Sequence, residues 1–296
     1  MLLLTGASGF IGKHLLLLLI EKYGKENIIC LTSHPISECR YLLHNNYHFE
    51  NDFFVENGFE NIETIIHAGA FTPKKGSEAN NVQLSNSNIF NTSKLLNATL
   101  PNIKKFIYLS TLDVYDNEAV ISENTLEKPV SLYGYSKLYS EKMVESWGKE
   151  YNKSVQVLRI GHVYGPGEEA YQKIIPVTIN NILLQNPIQI WGTGEELRSF
   201  IYIKDIVTAI INSIDLKEDV GVINLVGSTP ISINDLVNTI KLISNKEITI
   251  EKISTEKKGR DLVFDSSKMN TFLLKKETYL EEGLKEEFEY MKKNKK

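Results

Sequence analysis

Residues 2–15 read LLLTGASGFIGKHL, and the folding of this stretch decides how the rest is read. Leu2-Leu3-Leu4-Thr5 is a short uncharged strand pattern. It runs into Gly6-Ala7-Ser8-Gly9-Phe10-Ile11-Gly12, and a helical pattern leaves from Gly12 to Lys22. Each glycine has a separate physical use. Gly6 permits the tight turn, Gly9 lets backbone approach a pyrophosphate, and Gly12 lets the helix pack close to the strand. The helix N-terminus then offers free N–H groups and a positive dipole end to phosphates. Ser8, Phe10 and Ile11 share this turn and count with the glycines as cofactor-binding candidates. The spacing is GxxGxxG rather than GxGxxG, so the signal rests on its place between a strand and a strong helix. A purely structural turn is the competing reading.

Outward from the turn, short uncharged runs alternate with helical spacing. Strand-like runs fall at 28–31, 62–67, 106–110 and 155–160, with 224–226 returning to the same sheet. Helical spacing covers 87–99 and 133–151. Such alternation predicts an α/β chain with a parallel, doubly wound Rossmann-type sheet covered on both faces. From Gly161 the character changes. Turn signals in YGPGEE precede a helix at 175–185, a strand and turn at 187–193, a helix at 232–244, alternation at 247–253 and a closing helix at 278–292. We therefore expect a dinucleotide-binding domain of residues 1–160 plus about 200–228. A small discontinuous substrate-binding lid, about 161–199 plus 229–296, is expected beside it, with the site in the cleft between.

Composition narrows the function. The chain has 296 residues, 42% hydrophobic and 24% charged, with a net charge of −4, so no basic field draws it to nucleic acid or anionic lipid. The run His14–Ile20, HLLLLLI, resembles a signal-peptide core but is too short to span a bilayer, and a buried helix is the better reading. The lysine-rich tail 292–296 reads as a solvated end. Two cysteines, Cys30 and Cys39, do not make a disulfide framework and suit a reducing cytosol; Cys30, in an apolar run, reads as an inert buried thiol. The expectation is a cytoplasmic protein without a metal.

YGYSK at 133–137 places Tyr133 and Lys137 on one helical face. A tyrosine with a reference pKa near 10 is a poor base at neutral pH, and a nearby ammonium stabilises its phenolate. Thr111, at the end of the clearest strand, is placed to hydrogen-bond the same substrate oxygen and share the shifting proton. After the second strand, an acid would bind the ribose 2′-OH of NAD and an arginine the 2′-phosphate of NADP. This chain has Leu31-Thr32-Ser33-His34, with Arg40 the nearest guanidinium, so Thr32 and Ser33 are the candidates and NADP is favoured over NAD.

TGASGFIG, HAGA (67–70), FIYLSTLDVY (106–115), YGYSK, RIGHVYGPG (159–167) and WGTGEELRSFIYIKDIV (191–207) together resemble the extended short-chain dehydrogenases/reductases. More narrowly they resemble the NAD-dependent epimerase/dehydratase family that acts on nucleotide-sugars, over essentially the whole chain. The resemblance implies Thr111, Tyr133 and Lys137 as catalytic residues. It implies Asp52, with Phe53, at the adenine, and Ala68-Gly69-Ala70 beneath the cofactor phosphates and ribose. Arg198 and Arg260 correspond to the two arginines on the substrate diphosphate, and Trp191 lies on the strand that meets the nucleotide base. An ion pair with Glu195 or Glu196 is the plain alternative for Arg198. Asn88 resembles a structural helix start, and Asp205 reads as a helix cap.

Three departures bear on function. Family 4,6-dehydratases carry Asp-Glu after the catalytic threonine; here Leu112 and Asp113 follow. Leucine cannot donate a proton, while Asp113 stays a substrate-side candidate, as a short base, with packing against the helix start as the alternative. His162 stands where asparagine is usual and would face the sugar or its phosphate, and Asp116 replaces a turn glycine. The leading expectation is an NADPH-dependent 4-keto reductase of a nucleotide-diphosphate 4-keto-6-deoxy sugar, serving cell-surface polysaccharide synthesis. The alternative is a nucleotide-sugar 4-epimerase with tightly bound NAD. The resemblance also implies a homodimer, through Tyr139, Met143, Trp147 and Tyr151 at i+4 spacing.

Overall fold

A computed structural model describes residues 1–255 and 259–295. It divides into two compact units. The first comprises 1–116, 126–160 and 207–224; the second comprises 117–125, 161–206 and 225–296. Lys296, the last residue of the lysine-rich tail, and residues 256–258, within the expected lid, lie outside the described residues.

The first unit is built on a seven-stranded sheet. In chain order its elements are β1 (Leu2–Thr5), α1 (Phe10–Tyr23), β2 (Ile28–Thr32), β3 (Arg40–Leu43), α2 (Phe53–Glu56), β4 (Thr64–His67), α3 (Val82–Leu96), β5 (Lys105–Thr111), α4 (Leu132–Tyr151) and β6 (Ser154–Ile160). The second unit contributes β7 (His162–Tyr164), α5 (Ile174–Leu184), β8 (Ile188–Trp191) and β9 (Leu197–Tyr202). Helix α6 (Ile203–Ile214) and β10 (Ile223–Leu225) lead back through the first unit. The remaining elements are β11 (Pro230–Ser232), α7 (Ile233–Ser244), β12 (Ile250–Ile253), α8 (Ser267–Phe272) and α9 (Leu280–Asn294).

The sheet order is β10-β6-β5-β4-β1-β2-β3, and the pairings from β6 across to β3 are parallel. From β1 the chain winds outward to β3, then returns to β4 and winds the other way. The doubly wound topology expected from the alternation is therefore present, with its switch point between β1 and β4. Strands β1, β2, β4 and β5 are buried along their whole length, which is why they read as continuous apolar runs rather than alternating ones. Leu3, Ile29, Leu31, Phe54, Ile65, Phe106, Val144 and Val157 share one core, each side chain contributing about 1.5–3 kcal/mol by its burial. The apolar run near the start lies on α1, where Leu15, Leu16 and Leu19 are buried. Among the described residues, no helix is long and apolar enough to cross a membrane.

In the second unit β11-β9-β7 form one small sheet and β12-β8 another, and α5, α7 and α9 pack on one another. Ile179, Leu236, Ile240, Leu284 and Phe288 are buried there.

Several elements differ from expectation. Helix α3 starts at Val82, five residues before the expected start at Ser87, because Asn81 caps it by accepting from the Leu84 N–H at 2.9 Å. Its first turns, QLSNSN, are polar, so the apolar period begins only later. Asp205 does not cap α6: the helix starts at Ile203, directly off β9. Both Asp205 oxygens instead accept from Thr278, from its N–H at 2.7 Å and its hydroxyl at 2.9 Å. Strand β12 is shorter than the alternation from 247 to 253, beginning at Ile250.

Candidate active site

The glycine turn lies after β1, at the switch point. Gly6 has φ +72°, and a Cβ there would stand 2.6 Å from the Gly69 nitrogen, so the β1 turn and the Ala68-Gly69-Ala70 segment after β4 meet backbone to backbone. A Cβ on Gly12 would drive into the Gly6 carbonyl; that glycine is the close helix–strand contact. Gly9 is the N-cap of α1, offers no side-chain cap, and is followed by no acidic residue in the first turn. An N-terminus with no capping side chain and no acid in its first turn fits a diphosphate. Ser8 is exposed, and Phe10 and Ile11 are half-buried on the first turn.

Beneath the turn lies a polar cluster. The Thr5 hydroxyl accepts from the Gly69 N–H at 2.8 Å and contacts His67 Nδ1 at 2.7 Å. His67 Nε2 lies 3.2 Å from the Thr92 hydroxyl. Burial, reinforced by the Lys137 charge, pushes His67 down to about 3, so it is a neutral linker at physiological pH.

Thr111 ends β5, and its hydroxyl accepts from the Asp113 N–H at 3.3 Å. Ser131 caps α4 by accepting from the Gly134 N–H at 3.1 Å. Gly134 sits on the turn after Thr111: a Cβ there would be 2.5 Å from the Asp113 carbonyl oxygen. This contact seats Tyr133, the second residue of α4, at the same end of β5 as Thr111. The Tyr133 ring is buried, edge-on to Phe71 with centroids 6.2 Å apart. Lys137 is buried one turn further on; its Nζ donates to the Leu109 carbonyl at 2.6 Å and lies 4.2 Å from the centre of the Tyr108 ring. Burial pulls Lys137 down to about 7, and the Glu141 charge opposes that fall. Asp113 is exposed. The structure thus brings Thr111, Tyr133 and Lys137 to one end of β5.

Sequence reasoning took Asn88 only as a structural helix start and gave Arg159 no role, yet both hold this arrangement. Asn88, in the middle of α3, accepts from the Phe71 N–H at 2.7 Å and donates to the Phe71 carbonyl and to the Ser136 hydroxyl. Ser136 donates in turn to the Tyr133 carbonyl at 2.8 Å. Asn88 therefore links the segment after β4 to the first turn of α4, which carries Tyr133. Arg159, fully buried on β6, makes a two-pronged ion pair with buried Glu141 of α4 at 3.1 and 2.7 Å and pairs with Glu127. Long-range pairs of this kind leave no periodic signal, although the scarcity of arginine in a lysine-rich chain is a hint.

The other cofactor candidates are spread along the sheet edge. Thr32 ends β2, buried, its hydroxyl donating to the His34 carbonyl at 3.0 Å; Ser33 is exposed with its hydroxyl 2.9 Å from His34 Nδ1. Arg40 is not beside them. Its partner in the register is Ile29, near the start of β2, and its guanidinium donates to the Glu26 carbonyl and stacks over Phe59. Asp52 is exposed at the N-terminus of α2, and Phe53 stacks on Phe49 with centroids 5.0 Å apart, so Phe53 also serves the core.

Asp113 lies in the first unit; the other substrate candidates lie in the second. Arg198 on β9 donates to the carbonyls of Leu197 and Arg260, at 2.8 and 2.6 Å. It makes no ion pair among the described residues. Burial lowers its pKa, and the like charge of Arg260 adds to that. Arg260 is exposed, two residues before Leu262, which bridges to Arg198. His162 on β7 has its ring near Phe200 and Phe264. Burial, then the charges of Lys173, Arg198 and Arg260, pushes it down to about 4, and its buried Nδ1 has no partner among the described residues. Trp191, at the end of β8, is 63% exposed. Among the described residues, no group of three or more His, Cys, Asp or Glu is arranged to hold a metal ion.

A doubly wound sheet with a glycine turn at its switch point and a Thr–Tyr–Lys set beside it defines a dinucleotide-dependent extended short-chain dehydrogenase/reductase. The chain belongs to the NAD dependent epimerase/dehydratase family, whose model matches residues 2–225. It is similar to a dTDP-D-glucose 4,6-dehydratase of Dictyostelium discoideum, 32% identical over 271 residues, covering 82% of this chain but 61% of that protein. It is 29% identical over 314 residues to YtcB of Bacillus subtilis (strain 168), described as an uncharacterized UDP-glucose epimerase, with 98% and 97% of the two chains covered. Among solved structures, it superposes on UDP-glucuronic acid 4-epimerase from Bacillus cereus in complex with NAD with a TM-score of 0.85. That match is at 25% identity and covers 100% and 99% of the two chains.

Proposed function

We propose that this protein is an NAD-dependent 4-epimerase of a nucleotide-diphosphate sugar. The observation that carries the reading is the Thr111–Tyr133–Lys137 set at the end of β5 with Leu112, not an acid, following Thr111. That set supports reversible proton transfer at a sugar hydroxyl, and the apolar Leu112 removes the acid that dehydration at C5–C6 would use. The likeness to a 4-epimerase structure supports the same choice. The relatives do not single out the 4-keto reductase favoured from sequence alone, and they do not support the NADP preference. Arg40 is paired at the far end of β2, away from Thr32 and Ser33, and no other arginine is near them in sequence.

NAD would be held by the glycine turn after β1 and would supply reversible hydride transfer with the sugar. The rest falls to the chain. Tyr133 takes the proton of the C4 hydroxyl and gives it back after the keto sugar has turned over. The Lys137 ammonium stabilises the Tyr133 phenolate, and Thr111 hydrogen-bonds the same oxygen. Arg198 and Arg260 hold the diphosphate, with planar donors suited to two oxygens each. Neutral His162 accepts a substrate hydroxyl at Nδ1, and exposed Trp191 stacks on the base. The proposal includes a homodimer through α4, where Tyr139 and Tyr151 are exposed.

The test begins with protein purified without added cofactor and then denatured. The expected result is NAD(H) released at close to one per chain. Empty protein that binds NADPH in preference to NADH would contradict the epimerase reading and return the reductase.

A further inference from the structure

The two cysteines are not among the candidate site residues. Cys30 is fully buried in the middle of β2, and Cys39 immediately precedes β3, the strand paired with it. Their sulfurs are 3.4 Å apart, and both are free thiols. An inert thiol is the expectation for Cys30 among apolar neighbours, but its neighbour here is a second thiol. The register explains the meeting: Ile29 pairs with Arg40 and Cys30 with Tyr41, so the residue before Arg40 comes alongside β2.

The two thiols are not equivalent. Cys39 is half-exposed and lines a pocket of about 810 Å³ with Lys25, Glu38, Arg40 and Phe59. The hydrogen bond from Cys30, with help from the Arg40 charge, lowers the pKa of Cys39; the same bond and burial raise that of Cys30. A thiolate is the nucleophile, so the reachable Cys39 reacts first and the buried Cys30 second.

We propose that Cys39 and Cys30 are a peroxide-oxidised dithiol that closes to a disulfide across β2 and β3. The Cys39 thiolate attacks one oxygen of hydrogen peroxide and the O–O bond breaks. The departing hydroxide takes up the proton lost by Cys39 and leaves as water, with Cys39 now a sulfenic acid. Cys30 loses its proton and attacks the Cys39 sulfur; the S–O bond breaks, and the second hydroxide leaves with that proton as water. Two thiols lose two electrons, and one peroxide becomes two waters. The ring so closed contains Thr32, Ser33 and His34, the segment assigned from sequence to the cofactor ribose.

Reduced full-length protein is treated with a slight molar excess of hydrogen peroxide, alkylated in denaturant, and read by intact mass and peptide mapping. The expected result is joint loss of both thiols, a mass lower by two hydrogens, and one intramolecular Cys30–Cys39 peptide that dithiothreitol reverses. Cys30→Ser is expected to accumulate a Cys39 sulfenic acid trapped by dimedone. Cys39→Ser is expected to leave Cys30 unoxidised. Stable sulfinic acid on wild-type Cys39, disulfides formed only between chains, or two thiols still open to alkylation would each overturn the proposal.

Discussion

At the scale of single residues, the site depends on close approaches that tolerate no added atoms. Gly12 is the sharpest case, because its missing side chain is what lets α1 lie against the Gly6 carbonyl. Gly12→Ala forces backbone to move, and urea unfolding is expected to show a loss of about 1–3 kcal/mol. An unchanged midpoint would show that the contact is slack. His67 gives a pH signature. Unfolded, it takes up a proton near 6.5; folded, near 3. Its stabilising contribution is therefore full above about pH 6.5 and is lost as pH falls toward 3, because the unfolded state binds the proton first. His162, pushed down to about 4, acts in the same direction. Urea midpoints taken at pH 7 and pH 4.5 are expected to fall for the wild type. In a His67→Gln, His162→Gln double variant the fall shrinks. An equal fall in both proteins would remove the two histidines as its cause.

At the scale of elements, α4 carries the proposed Tyr133–Lys137 pair and is held by partners from β6 and α3. Arg159 of β6 grips Glu141, one turn beyond Lys137, and Asn88 of α3 reaches Ser136 between Tyr133 and Lys137. Removing Glu141 leaves the buried Arg159 with only the part-exposed Glu127 as an ion-pair partner among the described residues, so Glu141→Gln is expected to cost up to about 3–5 kcal/mol. A second consequence separates positioning from mere stability. The Glu141 charge holds the Lys137 pKa up, so its loss should make Lys137 shed its proton at lower pH. If the ammonium supports the Tyr133 phenolate, the alkaline fall in kcat/KM moves to lower pH in that variant. A profile lowered uniformly, with no shift, would reduce Glu141 to a structural role.

At the scale of the whole molecule, what the sequence disclosed was what local pattern can carry. The glycine turn, the buried strands and the i,i+4 pair of Tyr133 and Lys137 are all encoded within a few residues, and the structure places them as read. Strand β3 was invisible because it is a short, mostly exposed edge strand with no alternation, and the meeting of Cys30 with Cys39 was hidden with it. The partnership of Asp205 with Thr278 spans 73 residues, and no spacing rule reaches so far. The i+4 stripe on α4 also divides in space: Trp147 packs against Phe106 of its own core, while Tyr139 and Tyr151 are exposed. Light scattering at micromolar concentration is expected to give twice the chain mass of 33.7 kDa. Tyr139→Glu with Tyr151→Glu is expected to halve it. A wild-type monomer would remove the dimer from the proposal.

The central claim is reversible oxidation at C4 with Tyr133 moving the proton, and proton NMR of a UDP-hexose incubated with the protein tests it directly. Without added cofactor, the account predicts conversion to the C4-inverted sugar at equilibrium, with no net NADH formed. Tyr133→Phe should slow that conversion by about 100-fold or more while the variant still holds its nucleotide. Full turnover by Tyr133→Phe would contradict the account. So would a wild-type protein that inverts none of a panel of UDP- and dTDP-sugars yet reduces a 4-keto-6-deoxy sugar nucleotide with stoichiometric NADPH.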